Sequence, residues 1–162
     1  MSDVLLTRRS KMVRFTCHDV PARPGMAGKI FTALGAAKIN VIHMFNAEHG
    51  ENEGDISFSV GENSFEKARE VIDGIHDDIG TADVTIEHDI AILSFDLEET
   101  VCETVLGTMT VALNVLSRQS IDVRHIAGSR NRIFLVLPDA QADRASNILS
   151  RALKEDPIIH PI

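Results

Sequence analysis

Residues 19–31, DVPARPGMAGKIF, contain the turn on which the fold depends. Pro21, Pro24 and Gly25 stand within five residues, between an alternating apolar run and an amphipathic pattern. Proline fixes its own φ angle and glycine accepts left-handed angles, so the chain is held in a stiff corner. The apolar residues that follow, Met26, Ala27, Ile30, Phe31 and Leu34, fall at helical spacing. The stretch therefore predicts a strand that turns abruptly into a helix ending near Lys38.

The neighbouring segments extend this strand and helix into a βαββαβ unit. MVRFTCHDV (12–20) alternates apolar and polar residues, as a half-buried strand does. The segments after the first helix are a strand INVIHMFN (39–46), an acidic loop AEHGENEG (47–54), a strand DISFSV (55–60), a helix SFEKAREVIDGIHDDI (64–79) with Ser64 as its candidate N-cap, and a strand TADVTIEH (81–88). This order predicts an α+β, ferredoxin-like fold.

The second half of the chain repeats the first. INVIHM (39–44) and IDVRHI (121–126) share the pattern Ile-x-Val-x-His-apolar at an offset of 82 residues, and the same offset pairs Gly25 with Gly107. Only PIIHPI remains as a fourth strand of the second copy, whereas DVLLT (3–7) is an unassigned strand near the N-terminus. We therefore expect one domain at 10–88 and a discontinuous second domain at 3–9 plus 89–162, its sheet completed by the N-terminal strand.

Composition restricts the classes of function. The 162 residues are 44% hydrophobic and 25% charged, which is typical of folded domains. The formal net charge is −8, the basic residues are scattered, and Trp and Tyr are absent, which disfavours nucleic-acid binding and an RNA-binding ferredoxin-like module. The sequence has neither a membrane-span pattern nor a secretory signal, so we expect a cytoplasmic protein that does not bind membranes.

The motifs VPARPGMAGKIFTAL, INVIHM, DISFSV and SFEKAREVI, in this order and spacing, resemble the first regulatory ACT domain of aspartokinases. TIEHDIAILSF (85–95) resembles the junction to the second ACT domain of that family. The resemblance implies two ACT domains in tandem with antiparallel sheets paired side by side, a homodimer, and an amino-acid effector bound between ACT units. The kinase catalytic domain and a phosphate-binding GxxxxGK[S/T] motif are absent from the sequence, so we expect neither enzymatic activity nor a cofactor.

The corner is the first candidate binding site. Gly25 lets a ligand approach the backbone closely, because it has no side chain. The first N–H groups of the helix, around Met26, Ala27 and Gly28, lack intrahelical partners and carry the positive end of the helix dipole, so they favour a carboxylate. The alternative is that the Pro-Gly sequence only makes a tight turn.

The resemblance adds further effector-binding positions. Ala22 stands where the family has an Asp that can pair with the amino group of bound lysine or threonine, and Arg23 would add positive charge if it faced the pocket. Asn46 retains an amide at the end of the second strand. The family lines its effector cleft with segments that correspond here to Asn40 and Val41 and, in the second copy, to Ser120, Ile121 and Asp122. Asp122 is a candidate replacement for the acid missing at Ala22, whereas core packing is the alternative role of Val41 and Ile121.

We expect no metal site. His43 and His125 are equivalent in the two copies, but two imidazoles make a poor zinc site, and neither Cys17 nor Cys102 has metal-ligand spacing. The acidic loop at 47–54 lacks the Asp spacing of a calcium loop and is typical of a solvated hairpin.

Two hypotheses follow for the function. The first is a non-catalytic regulatory protein, as in the allosteric region of aspartokinase, whose partners are a small amino-acid effector and a separate kinase or biosynthetic enzyme. The second is a structural dimerisation module that has lost its effector site, favoured by Ala22 and by Leu106-Gly107 in place of Pro-Gly. The start Met1-Ser-Asp favours an independent protein over an excised part of a longer kinase.

Overall fold

The computed structural model describes residues 5–97, 105–129 and 131–155. The chain divides into two compact units. One comprises Lys11–His88, and the other comprises the residues up to Ser10 together with those from Asp89 onward. The strands β1 (Leu5–Pro21) and β4 (Asp83–Asp96) each contribute residues to both units.

The unit Lys11–His88 has the βαββαβ order expected from the sequence. After its part of β1 come α1 (Met26–Ala36), β2 (Val41–His49), β3 (Glu53–Gly61), a 3₁₀ turn (Glu62–Ser64), α2 (Phe65–Ile79) and its part of β4. The antiparallel strands lie in the order β2-β3-β1-β4. The Arg14 guanidinium of β1 forms an ion pair with Glu87 of β4 at 2.5 Å.

One face of these strands forms the core of the unit with the two helices. Val13, Phe15 and Cys17 alternate along β1 and are all buried, as their spacing predicts. The rings of Phe15 and Phe58 stack at a centroid distance of 5.2 Å, across a directly opposed pair of β1 and β3. The helices contribute Ile30 and Leu34 from α1 and Ala68, Ile72 and Ile79 from α2. Full burial of each large apolar side chain contributes about 1.5–3 kcal/mol.

The other unit has its own core. Its elements after β4 are α3 (Val105–Arg118), β5 (His125–Gly128), β6 (Arg132–Pro138) and α4 (Asp139–Glu155), and its strand order is β1-β4-β6-β5. Leu6 of β1 packs against this core, and the Arg8 guanidinium forms an ion pair with Asp143 of α4. The buried residues include Leu93 and Phe95 of β4 and Leu116 of α3.

The predicted α+β, ferredoxin-like fold is confirmed, with two differences in the strands. The described part of the N-terminal strand, from Leu5, and MVRFTCHDV belong to one strand, β1, in which Lys11 has a φ of +53°. DVTIEH (83–88) and IAILSF (90–95) likewise belong to one strand, β4, in which Asp89 has a φ of +54°. Single residues in the left-handed region are compatible with strand irregularities. Each strand therefore continues where the sequence predicts two separate strands.

Three features of the sequence lie outside the described residues: positions 3 and 4 of the predicted N-terminal strand, Cys102, and the segment PIIHPI. The proposed division into domains at 10–88 and at 3–9 plus 89–162 stays a prediction. None of the helices in the described ranges combines the length and apolar character needed to cross a bilayer.

Candidate functional site

Main-chain hydrogen bonds hold the corner between β1 and α1. The N–H of Ala22 donates to the carbonyl of Asn52 at 2.8 Å, and the N–H of Arg23 donates to Pro21 at 2.7 Å across a tight turn. Gly25 is the N-cap of α1 with φ +93° and ψ −5°, the left-handed region that glycine accepts without steric strain. The backbone of the corner is therefore fixed by the two prolines, by Gly25 and by these main-chain bonds.

A cavity of about 350 Å³ opens beside this corner. It is bounded by the end of β1, the first turn of α1 and the facing parts of β2 and β3. Its lining residues are Val20, Pro21, Ala22, Arg23, Pro24, Gly25, Met26, Ala27, Gly28, Asn46, Glu48, Gly54 and Ile56. Much of the wall is backbone and small side chains, so a ligand can approach the main chain of the helix terminus.

The cavity brings together most of the site residues predicted from the first copy: Ala22, Arg23, Gly25, Met26, Ala27 and Asn46. Asn40 and Val41 do not line it. Asn40 is exposed just before β2, and Val41 is half-buried and packs against the core of the unit. Val41 therefore packs against the core, the alternative to a ligand-binding role for this residue.

Ser120, Ile121 and Asp122 lie in the other unit, where they line an open cavity of about 460 Å³. Ile121 is buried in the core of that unit. The N–H of Asp122 donates to Gln141 Oε1 at 2.9 Å, and its carboxylate accepts a hydrogen bond from Arg124 Nε at 3.5 Å. The role of Asp122 as a substitute for the missing acid stays a prediction.

The helix terminus in the cavity is free of local acidic side chains. The first turn of α1 contains no Asp or Glu, and Gly25 provides no side-chain cap. The N–H of Met26 already donates to the carbonyl of Arg23 at 3.3 Å, which leaves the N–H groups of Ala27 and Gly28 as the better donors to a ligand. Arg23 also lines the cavity, so this side of it favours an anion.

Glu48 is the lining residue that the sequence analysis missed. The acidic segment at 47–54 is an exposed hairpin, as the sequence predicts, and because β2 runs as far as His49, Glu48 lies opposite Gly54 of β3. Side chains two residues apart on a strand point to the same face, so the placement of Asn46 in a site implies that of Glu48 once the strand is long enough. The cavity thus has a carboxylate as well as cationic groups.

Cys17 has no reactive character. Its side chain is fully buried in the core, and this burial raises the pKa of the thiol from 9.0 to about 11. The thiol is therefore protonated at neutral pH, as expected for a structural cysteine.

Comparison with known proteins identifies the unit that contains the corner. Residues 18–74 match the family model described as the ACT domain. This segment is similar to the ACT-domain family. The matched residues run from the end of β1 through most of α2 and include every residue that lines the corner cavity.

The similar proteins are aspartate kinases. The aspartate kinase of Pseudomonas putida is 27% identical over 143 residues, which are 88% of this chain and 34% of that kinase. The chain thus spans about a third of the length of the curated relatives that it matches. The resemblance of this chain to the regulatory region of aspartokinases is confirmed by these matches and by the structural comparisons that follow.

Two solved structures show how far the fold is shared. The ligand-free regulatory subunit of aspartate kinase from Thermus thermophilus superposes with a TM-score of 0.80 at 20% identity, covering 93% of this chain and 97% of that chain. Aspartokinase III of E. coli in complex with lysine and aspartate, in its T state, gives a TM-score of 0.62 at 14% identity, covering 93% of this chain and 32% of that chain. At these identities the likeness shows the fold.

Proposed function

We propose that this chain is a non-catalytic regulatory protein of the aspartokinase type, and that it binds a small amino acid in the corner cavity. The observation that carries the proposal is the distribution of charge around that cavity. The N-terminus of α1 and Arg23 supply positive potential, and Glu48 supplies a carboxylate. A zwitterion has the complementary pair of charges, whereas a simple anion or cation would leave one side of the cavity unmatched.

Each ligand group has a named partner in this proposal. The N–H groups of Ala27 and Gly28 and the guanidinium of Arg23 hold the carboxylate of the amino acid. Glu48 accepts hydrogen bonds from the ammonium group, in place of the acid that the family has at Ala22. Asn46 offers an amide to the remaining polar group of the ligand.

We further propose that the chain comprises two ACT domains, at 10–88 and at 3–9 plus 89–162. The packing of Leu6 on the core formed by β4, β6, α3 and α4 supports the inclusion of the N-terminal strand in the second domain, as does the ion pair of Arg8 with Asp143. The cavity beside Ser120, Ile121 and Asp122 is then a possible second effector site in that domain.

The regulatory output follows from differential binding. An amino acid changes the equilibrium between two conformations only by the difference in its affinity for them. In the proposal, the chain acts as a cytoplasmic homodimer, and the shift is sensed by a kinase or another biosynthetic enzyme, either as a separate chain or as a part of the same one. The lysine bound to E. coli aspartokinase III supports an amino acid as the class of effector.

A thermal-shift screen against the twenty amino acids, followed by calorimetry, tests the proposal. A ligand at a hundred times its Kd stabilises the native state by about 2.7 kcal/mol, and each kcal/mol raises Tm by about 2–4 °C in a chain of this size. The absence of a shift at millimolar concentrations of all twenty would leave the structural dimerisation module as the function.

The role of Glu48 is tested with a matched pair of variants and a matched pair of ligands. Glu48→Gln is expected to weaken binding of the amino acid at least about tenfold, as for loss of a charge-assisted hydrogen bond of about 1.5–3 kcal/mol. It should not weaken binding of the same carboxylic acid lacking the amino group. Glu51→Gln is the control, because Glu51 lies in the turn beyond β2 and does not line the cavity. Equal effects of the two variants would contradict the assignment.

A further inference from the structure

A second group of polar side chains gathers where β1, β2 and β3 meet the β2–β3 turn. His49 is the last residue of β2 and lies opposite Glu53, the first residue of β3. Asp19 lies on β1 at a register irregularity between Cys17 and Val20, and its φ is +52°. His49 and Glu53 alternate along their strands with Glu48 and Gly54, which line the corner cavity, so this group belongs to the opposite face of the sheet.

The atoms in this group lie close enough to share one ion. A ring nitrogen of His49 and one carboxylate oxygen each from Asp19 and Glu53 all lie within 4.8 Å of one another. His49 Nε2 is 3.5 Å from Asp19 Oδ1. Ligands about 2.1 Å from a tetrahedral metal are roughly 3.4 Å apart, so the His49–Asp19 pair already has this spacing. The side chains of His49 and Asp19 are nearly half exposed. Glu53 is exposed as well, so rotation of its side-chain bonds can bring its carboxylate to the same distance from the other two ligand atoms.

Asp55 forms hydrogen bonds with members of this group. Its Oδ1 lies 2.8 Å from His49 Nε2 and accepts a hydrogen bond from the N–H of Asp19 at 3.2 Å. Its Oδ2 lies 3.0 Å from His18 Nδ1. Asp55 therefore contacts two members of the group, His49 and the main chain of Asp19.

The local charge is strongly negative. Asp19, Glu53 and Asp55 bring three carboxylates together, and in the part of the chain that the structure describes no Lys or Arg forms an ion pair with any of them. An imidazole nitrogen among carboxylates is a donor set for a divalent ion of intermediate softness, rather than for Mg²⁺ or Ca²⁺, which prefer oxygen alone.

We propose that Asp19, His49 and Glu53 form a binding site for one divalent transition-metal ion of the Zn²⁺ class. The metal replaces the hydrogen bond of His49 Nε2 with Asp55, Asp55 keeps its contacts with His18 and the N–H of Asp19, and water fills the fourth position. The metal connects three neighbouring strands at the turn next to the corner cavity, and it stabilises the native chain by preferential binding. This proposal does not depend on amino-acid binding, because its residues are distinct from those that line the cavity.

Titration of the full metal-free chain with Zn²⁺ by calorimetry is the first test, with Co²⁺ as a spectroscopic probe of the coordination. We expect a stoichiometric binding event that His49→Gln weakens at least about tenfold. His76→Gln is the control, because His76 is on α2 and the described hydrogen bond and ion pair of its side chain are both with the neighbouring Asp77. Asp19→Asn provides a second variant should His49→Gln perturb the hairpin, and it is expected to weaken Zn²⁺ binding similarly.

Three outcomes would overturn the proposal. The first is no Zn²⁺ binding at micromolar to millimolar concentration. The second is binding that His49→Gln and Asp19→Asn leave unchanged while far-UV circular dichroism shows that both variants are folded. The third is binding of Ca²⁺ or Mg²⁺ as tightly as Zn²⁺ with no contribution from His49, which would show a non-selective acidic surface instead of a site.

Discussion

The alanine substitution of Gly25 measures how much the corner depends on one backbone angle. With φ at +93°, an L-residue there is strained by about 1–2 kcal/mol. A Cβ added at Gly25 meets no heavy atom within 4 Å, so steric clash adds nothing. Loss of glycine's freedom in the unfolded chain offsets about 0.4–1 kcal/mol of this strain. The net loss of unfolding free energy should therefore be about 1 kcal/mol.

Gly28→Ala is the matched control, three residues further along. Its added Cβ also meets nothing within 4 Å, but Gly28 lies inside α1 with an ordinary helical φ. Alanine there should stabilise the helix by about 0.5–1 kcal/mol. The same substitution thus lowers the unfolding free energy at Gly25 and raises it at Gly28, and the two variants should differ by about 2 kcal/mol.

Chemical denaturation followed by far-UV circular dichroism is the appropriate assay, since the chain lacks Trp and Tyr and so has little intrinsic fluorescence. The midpoint should fall for Gly25→Ala and rise for Gly28→Ala, with unchanged m-values. If Gly25→Ala proved as stable as Gly28→Ala, the left-handed corner would not be a feature of the folded protein, and the exposure of the α1 N-terminus to a ligand would lose its basis.

Three further predictions concern packing and pH. Gly54→Ala should destabilise the chain by about 1–3 kcal/mol in denaturation, because its Cβ would stand 2.6 Å from the carbonyl oxygen of Ala47 and force β2 and β3 apart. Phe58→Ala should lose about 3–5 kcal/mol of unfolding free energy, since the ring is fully buried and stacked on Phe15. The raised pKa of Cys17 means that the folded state keeps a proton that the unfolded state releases, so stability present below pH 9 is lost towards pH 11. The slope should reach about 1 kcal/mol per pH unit near pH 10 relative to Cys17→Ala, and an identical pH profile for the two proteins would refute it.

Local signals in the sequence were sufficient for the helices and for the corner. The Pro-Gly turn predicts a helix beginning at about Met26, and α1 begins there. The amphipathic pattern of the second helix predicts its end at Ile79, and α2 ends there, followed by Gly80 in the left-handed region. Both depend on periodicity and on residues with restricted φ angles, which act over a few positions and need no knowledge of distant contacts.

Features that depend on tertiary contacts were not predictable in this way. Ser64 is at the N-cap of α2, but its side chain makes no capping bond, and a 3₁₀ turn precedes the helix instead. β5 begins at His125 rather than at Ile121, because Ile121 packs into the core and the N–H of Asp122 donates to the side chain of Gln141. Glu48 was placed in a loop because a run of charged residues conceals that β2 continues beside β3.

The main-chain bonding of the corner has a consequence for how ligand preference could evolve in this protein. Ala22 is exposed, and its only described bond is the one from its N–H to Asn52. A new side chain at this position therefore leaves the hydrogen bonds, the prolines and Gly25 that shape the corner intact. In the proposed site, a substitution at Ala22 can therefore change ligand preference without disturbing the residues that hold the corner.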